Sequence, residues 1–198
     1  MIETIAALLI FLFPLAYSPG PGNMVFAATG ARFGLRATVP ANIGYHLATW
    51  LVAALIGLGF LAALDRFPGL FAALNIGGAL YVFWIAWRMF GAGTAQKAQS
   101  AGPMGFRDGV VLLALNPKAY VIMALMFSQF MAPDTPDTLS RVLVISTVFT
   151  LNNLVAFTLW TLIGDTLAAQ FRSPRRAKTL NRLFAVTLAG VALWMFFA

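Results

Sequence analysis

The stretch that decides the fold is GVVLLALNPKAYVIMALMFSQFM, residues 109–131, an apolar run interrupted in its middle by Asn116-Pro117-Lys118. It contains one proline and one charged side chain, side by side. A run of this length spans about 30 Å of hydrocarbon as a helix, so the lysine and the proline both lie deep in it. A second run has the same character: FLFPLAYSPGPGNMVFAATG, residues 11–30, is broken by Pro19-Gly20-Pro21-Gly22.

Composition sets these two runs in a membrane. Of 198 residues, 61% are hydrophobic and 10% charged, against about 25% charged in a soluble domain. Six apolar segments are long enough to span, at about 5–28, 39–62, 68–88, 109–131, 142–164 and 180–197. The expected fold is an all-α membrane protein of six transmembrane helices. The first span lacks a basic leading residue and runs past the length of a cleavable signal, so it is expected to be retained. The net charge of +7 points to cytoplasmic loops and anionic lipid head groups rather than nucleic acid.

Orientation follows from the basic residues. Ten of the 13 lie in alternate connections, namely Arg32, Arg36, Arg88, Lys97, Arg107, Arg172, Arg175, Arg176, Lys178 and Arg182. Arg66 and Arg141 lie on the other side, and Lys118 on neither. Cytoplasmic loops carry the excess of Lys and Arg, so both termini are expected outside.

The low-complexity stretch GAGTAQKAQSAGP, residues 91–103, reads as a linker. It separates a first three-helix half, 1–90, from a second, 107–198, with 91–106 as the cytoplasmic connection. Two related halves of three spans each must be inverted relative to one another in the membrane. The first span of each half is the proline-broken one, and the second carries amides: Asn42 in one, Asn152 and Asn153 in the other. Pro21 and Lys118 each fall some 13–16 Å from the cytoplasmic end of their span, near the midplane.

A helix broken inside lipid is tolerated where it is buried in protein or lines a wet cavity. The second half of span 1 is expected to start near Gly22 or Asn23. In the other break Asn116 is placed as N-cap, Pro117 as first helical residue and Lys118 in the first turn. Two helix N-termini and an ammonium group around one space form a site for an anion such as a carboxylate. Lys118 has two readings that can coexist: a substrate contact, or a staple on the free carbonyls around Tyr17 and Ser18. The candidate binding residues are therefore Ser18, Pro19, Gly20, Pro21, Gly22, Asn23, Asn42, Asn116, Pro117, Lys118, Asn152 and Asn153. For the amides away from the breaks, hydrogen bonding between helices is an equal alternative.

A proton-coupled step has few carriers to draw on. His46 is the single histidine, and a lone buried histidine is more often structural. All six acids lie near span ends, leaving His46, Asp108 and Asp165 as candidates besides Lys118. With no cysteine, one histidine and no carboxylate pair at mid-membrane, an intramembrane enzyme has no catalytic constellation, and neither a metal nor a cofactor is expected. The pairs Gly30/Gly34 and Gly44/Ala48 read as close helix packing. Trp84 and Trp87 read as interfacial anchors.

The Pro19-Gly20-Pro21 of span 1, the glycines Gly30, Gly34 and Gly44, the GFRDG at 105–109 and the NPKA at 116–119 resemble the LysE/RhtB family of amino-acid exporters. The resemblance covers the whole chain. It implies export of an amino acid or close derivative from a bacterial cytoplasm across the inner membrane, coupled to a proton or ion gradient. Many relatives carry an acid shortly after the glycine matching Gly44, where this chain has Tyr45 and His46. The absence of a mid-membrane acid favours a neutral amino acid. The expected partners are that small molecule and membrane lipid, with a monomer and a homo-oligomer both compatible. A channel or a non-transporting membrane adaptor is the alternative, distinguished by saturable, gradient-dependent flux.

Overall fold

The structure, a computed structural model, describes residues 2–60, 102–131 and 138–170, with isolated positions between 76 and 87 and between 179 and 193. The third and sixth expected spans and most of the linker lie outside the described residues.

Among the described residues the regular elements are all helical. They are α1 (Ile2–Tyr17), α2 (Pro21–Phe33), α3 (Leu35–Leu55, continued by a π-helical turn Ile56–Phe60), α4 (Phe106–Ala114), α5 (Pro117–Phe130) and α6 (Thr138–Gln170). Two stretches, Leu35–Gly59 and Thr138–Ala168, are long and apolar enough to span by themselves. The pairs α1–α2 and α4–α5 pass the same test together, bent by 63° and 64°.

Both bends have a proline cause. Pro19 and Pro21 lack an N–H, and Gly20 between them is extended at φ −162°, ψ 175°, so α1 stops at Tyr17. The new helix begins at Pro21, one or two residues before the expected start at Gly22 or Asn23. Proline is pre-set for the first helical position, where its missing donor would be unpaired anyway. In the second break Pro117 opens α5 as expected, and the residue before it is driven out of the helical region: Asn116 sits at φ −99°, ψ 95°.

Helix boundaries overrun the apolar segments because caps, not hydropathy, set them. A glycine with φ +80°, Gly34, turns the chain between α2 and α3. Helix α3 starts at Leu35, whose N–H donates to Asp165 Oδ2 at 3.1 Å. Helix α4 starts at Phe106, where Gly105 N–H donates to Asp108 Oδ2 at 2.8 Å. At 33 residues, α6 is about 50 Å long.

Apolar side chains face outward as well as inward, as lipid allows. On α3, Val39, Ile43, Leu47, Leu51 and Leu55 are exposed every fourth residue, whereas Thr38, Asn42, His46 and Thr49 are buried. Lipid gives no penalty for an outward leucine, so packing selects small and polar residues for the interior. Some buried hydroxyls are satisfied within their own helix: Thr49 Oγ1 donates to Tyr45 O, and Thr161 Oγ1 to Phe157 O, both at 2.8 Å, whereas Ser146 Oγ and Thr150 Oγ1 have no partner.

Glycines let two helix pairs touch at backbone distance. A Cβ on Gly30 would meet the Thr161 carbonyl and one on Gly164 the Ala27 carbonyl, joining α2 to α6. Likewise Gly44 faces the Phe106 carbonyl and Gly109 the Ala41 carbonyl, joining α3 to α4. Gly30 and Gly44 thus serve packing as expected, while Gly34 serves the turn.

Candidate functional site

The end of α1 is the centre of the site. A helix leaves its last carbonyls unpaired, and inside a membrane each needs a donor. Four consecutive carbonyls find four different ones. Ser18 Oγ donates to Leu15 O at 3.1 Å, Asn23 Nδ2 to Ala16 O at 3.0 Å, Trp160 Nε1 to Tyr17 O at 3.1 Å and Lys118 Nζ to Ser18 O at 2.8 Å. Lys118 Nζ also donates to Ser18 Oγ at 3.0 Å. The lysine therefore ties the break in the first half to the break in the second. Gly20 makes this contact possible, because a Cβ there would stand 2.7 Å from Lys118 Cδ.

The second break is closed more locally. Tyr120 Oη donates to Ala114 O at 3.1 Å, and Asn116 N–H to Leu113 O at 2.9 Å. Asn116 occupies the N-cap position of α5, but its side chain does not cap the helix. Instead Nδ2 donates to Tyr45 Oη at 2.8 Å, and Oδ1 is buried without a partner. Tyr45 itself is buried and packs its ring on Phe157, with centroids 4.6 Å apart.

His46 stands on the next position of α3. Its Nδ1 lies 2.9 Å from Asn42 O, a group that only accepts, which places the proton on Nδ1. Nε2 is then the acceptor, 3.4 Å from Asn153 Nδ2. The imidazole ring meets Phe157 edge-on at 5.2 Å.

Between the two breaks lies a cavity walled by Asn23, Asn116, Lys118 and Asn153 on its polar side and by Leu15, Ile122, Phe149 and Phe157 on its apolar side, with Tyr45 at the border. Its free volume is about 10 Å³, room for roughly one water. None of its lining residues is an acid.

The expected site residues thus fall into groups. Asn23, Asn116, Lys118 and Asn153 meet at the cavity, and Ser18 and Gly20 join through the lysine. Pro19, Pro21 and Pro117 shape the breaks. Gly22 makes room for Phe157, whose Cζ would lie 2.6 Å from a Cβ there. Asn42 contributes its backbone carbonyl to His46, and its Oδ1 is buried without a partner. Asn152 points elsewhere: Tyr17 Oη donates to its Oδ1 at 3.5 Å, and its Nδ2 is buried unpaired. Asp108 and Asp165 are helix caps, outside the cavity. Sequence reasoning missed Tyr45, Phe149, Phe157 and Trp160. The one available signal was the spacing of Phe149, Asn153 and Phe157, which share a face of α6 with a buried amide at its centre.

Comparison with known proteins identifies the family of the chain. A LysE type translocator family model matches residues 13–197. The homoserine/homoserine lactone efflux protein of Salmonella typhimurium is 28% identical over 176 residues, covering 86% of this chain and 84% of that one. The cysteine/O-acetylserine efflux protein of Escherichia coli K12 is 27% identical over 184 residues, 92% of each chain. No solved structure matches. Matched over nearly its whole length, the chain belongs to the LysE type translocators: it is a multi-pass membrane transporter of that family and not an enzyme.

Proposed function

We propose that the protein exports a neutral amino acid or close derivative from the bacterial cytoplasm, through the cavity between the two helix breaks, coupled to a proton or ion gradient. The curated relatives are efflux proteins for homoserine, its lactone, cysteine and O-acetylserine, all small and none carrying an acidic side chain. The observation that carries the reading is the Lys118 ammonium, held at 2.8 Å on the Ser18 carbonyl at the cavity wall. A half-buried ammonium next to two helix N-termini is matched to a carboxylate. The unpaired Asn116 Oδ1 offers an acceptor to the substrate ammonium, and Phe149, Phe157 and Ile122 form an apolar wall for a short side chain.

In the present conformation the cavity is too small for any amino acid, and the α1 carbonyls are already taken. Substrate entry therefore requires Lys118 to exchange Ser18 for the incoming carboxylate and the two breaks to part. Rocking of residues 1–90 against 107–198, as inverted halves joined by 91–106, supplies that motion. The matching bends of 63° and 64° support the inversion. So does the antiparallel course of the two broken spans: Ser18 just past the end of α1 meets Lys118 at the start of α5, while Thr4, Ile5 and Leu8 near the start of α1 share a cavity with Phe130 at the end of α5.

For coupling we assign His46 in preference to Asp108 and Asp165. His46 touches Asn153 of the cavity wall, while both acids are engaged at helix starts.

The test is efflux of a panel of amino acids from cells overexpressing the protein and its Lys118→Met variant. Wild-type cells should accumulate one or more neutral amino acids outside, and the variant should not, at equal membrane abundance. An exporting Lys118→Met protein would remove the lysine from the mechanism.

A further inference from the structure

A second cavity lies at the end of the bundle where α1 and α6 begin and α5 ends. It has a free volume of about 60 Å³ and is lined by Thr4, Ile5 and Leu8 of α1, Phe130 of α5, and Arg141 with Val144 and Ile145 of α6. The three helices that form it also wall the cavity between the breaks.

The two cavities are in register along each helix. On α1, Leu8 lines the outer one and Leu15 the inner; Leu12 lies between, about one turn from each. On α5, Phe130 and Ile122 line them, with Met126 one turn from both. On α6, Ile145 and Phe149 are successive turns of one face, the first outer and the second inner. Side chains three and four apart share a helix face, so each helix presents one continuous stripe to both spaces. Leu12 and Met126, the residues between, have no exposed surface. They point neither to lipid nor to water, and each lies about one turn from the lining residue on either side, so the two cavities are about two turns apart along α1 and α5.

We infer that the outer cavity is the external half of the translocation path, and that Leu12 and Met126 are the gate closing it from the substrate site. This rests on the export reading above, in which the inner cavity is the site. Leucine and methionine suit a gate: they exclude water when packed, and the unbranched methionine repacks easily. The hinge for opening is the break at residues 18–20, whose hold on α1 consists of side-chain hydrogen bonds, one of them from Lys118.

The chain contains no cysteine, so single cysteines can be read with a charged, membrane-impermeant methanethiosulfonate reagent applied to intact cells. The reagent attacks the thiolate, which forms where water reaches. Thr4→Cys and Val144→Cys should be modified, and Leu151→Cys on the exposed apolar face of α6 should not. Ile122→Cys, in the inner cavity, should react slowly, and adding either Leu12→Ala or Met126→Ala should speed it about tenfold as water gains the thiol. Unreactive Thr4→Cys and Val144→Cys variants would make the outer cavity a lipid-facing groove and overturn the path. An Ile122→Cys rate unchanged by both truncations would overturn the gate. Two independent truncations protect the test against one failing to insert. Because labelling reads water access and not transport, a failure of the gate is separable from a failure of export: the first leaves wild-type efflux intact, and the second leaves the labelling pattern intact.

Discussion

Lys118 is held by one carbonyl and one hydroxyl, both on Ser18, and its stem passes over the bare α-carbon of Gly20. Gly20→Ala should therefore act through the lysine. Its Cβ would press on Lys118 Cδ, and displacing the amine takes its donor from the half-buried Ser18 carbonyl, at a cost of about 1 kcal/mol or more. The expected outcome is a protein that inserts normally and loses most export, measured as external amino acid per unit of membrane protein. At His46, substitution should separate driving force from transport. His46→Gln should still export, but without the response to a protonophore shown by wild type, whereas Asp108→Asn and Asp165→Asn should keep that response. A protonophore-sensitive His46→Gln variant would move coupling to another group. The lysine and the prolines were legible in the sequence because each is costly in an apolar run and demands compensation. Trp160 was not: an aromatic residue in a membrane span reads as a lipid contact, and only the fold turns its Nε1 onto Tyr17 O.

Among the described residues, helices approach at backbone distance where α2 meets α6 and where α3 meets α4, and both approaches depend on glycine. A Cβ at Gly164 would meet the Ala27 carbonyl and one at Gly109 the Ala41 carbonyl. These neighbours are main chain and cannot rotate away, so Gly164→Ala and Gly109→Ala should each destabilise by about 1–3 kcal/mol or more. Gly190→Ala, with nothing within 4 Å of its Cβ, should be silent. Thermal unfolding of the detergent-solubilised protein checks all three. Existence and interruption of the helices followed from apolar length and proline, but their ends did not. Helix α3 begins at Leu35 instead of near 39, and α6 runs from Thr138 to Gln170 instead of 142–164. Leu35 is capped from α6 by Asp165, a partner 130 residues away that no local pattern reveals.

For the whole molecule, one end of the bundle gathers the starts of α1 and α6 and the end of α5, and the distribution of Lys and Arg predicts that this end faces outside. The same impermeant reagent should then label Thr4→Cys on intact cells and spare Gly102→Cys, which should react only after the membrane is opened. The reverse pattern would invert the assigned topology. Membership of a transporter family was readable because Pro19-Gly20-Pro21, the glycines after it, GFRDG at 105–109 and NPKA at 116–119 resemble the LysE/RhtB pattern. The closed state of the protein was not readable, because composition does not report volume. That closure has a physiological consequence. Among the described residues, a chamber with room for about one water holds no chain of waters along which protons could hop. A membrane densely loaded with the protein at rest in this conformation should therefore show no added proton conductance.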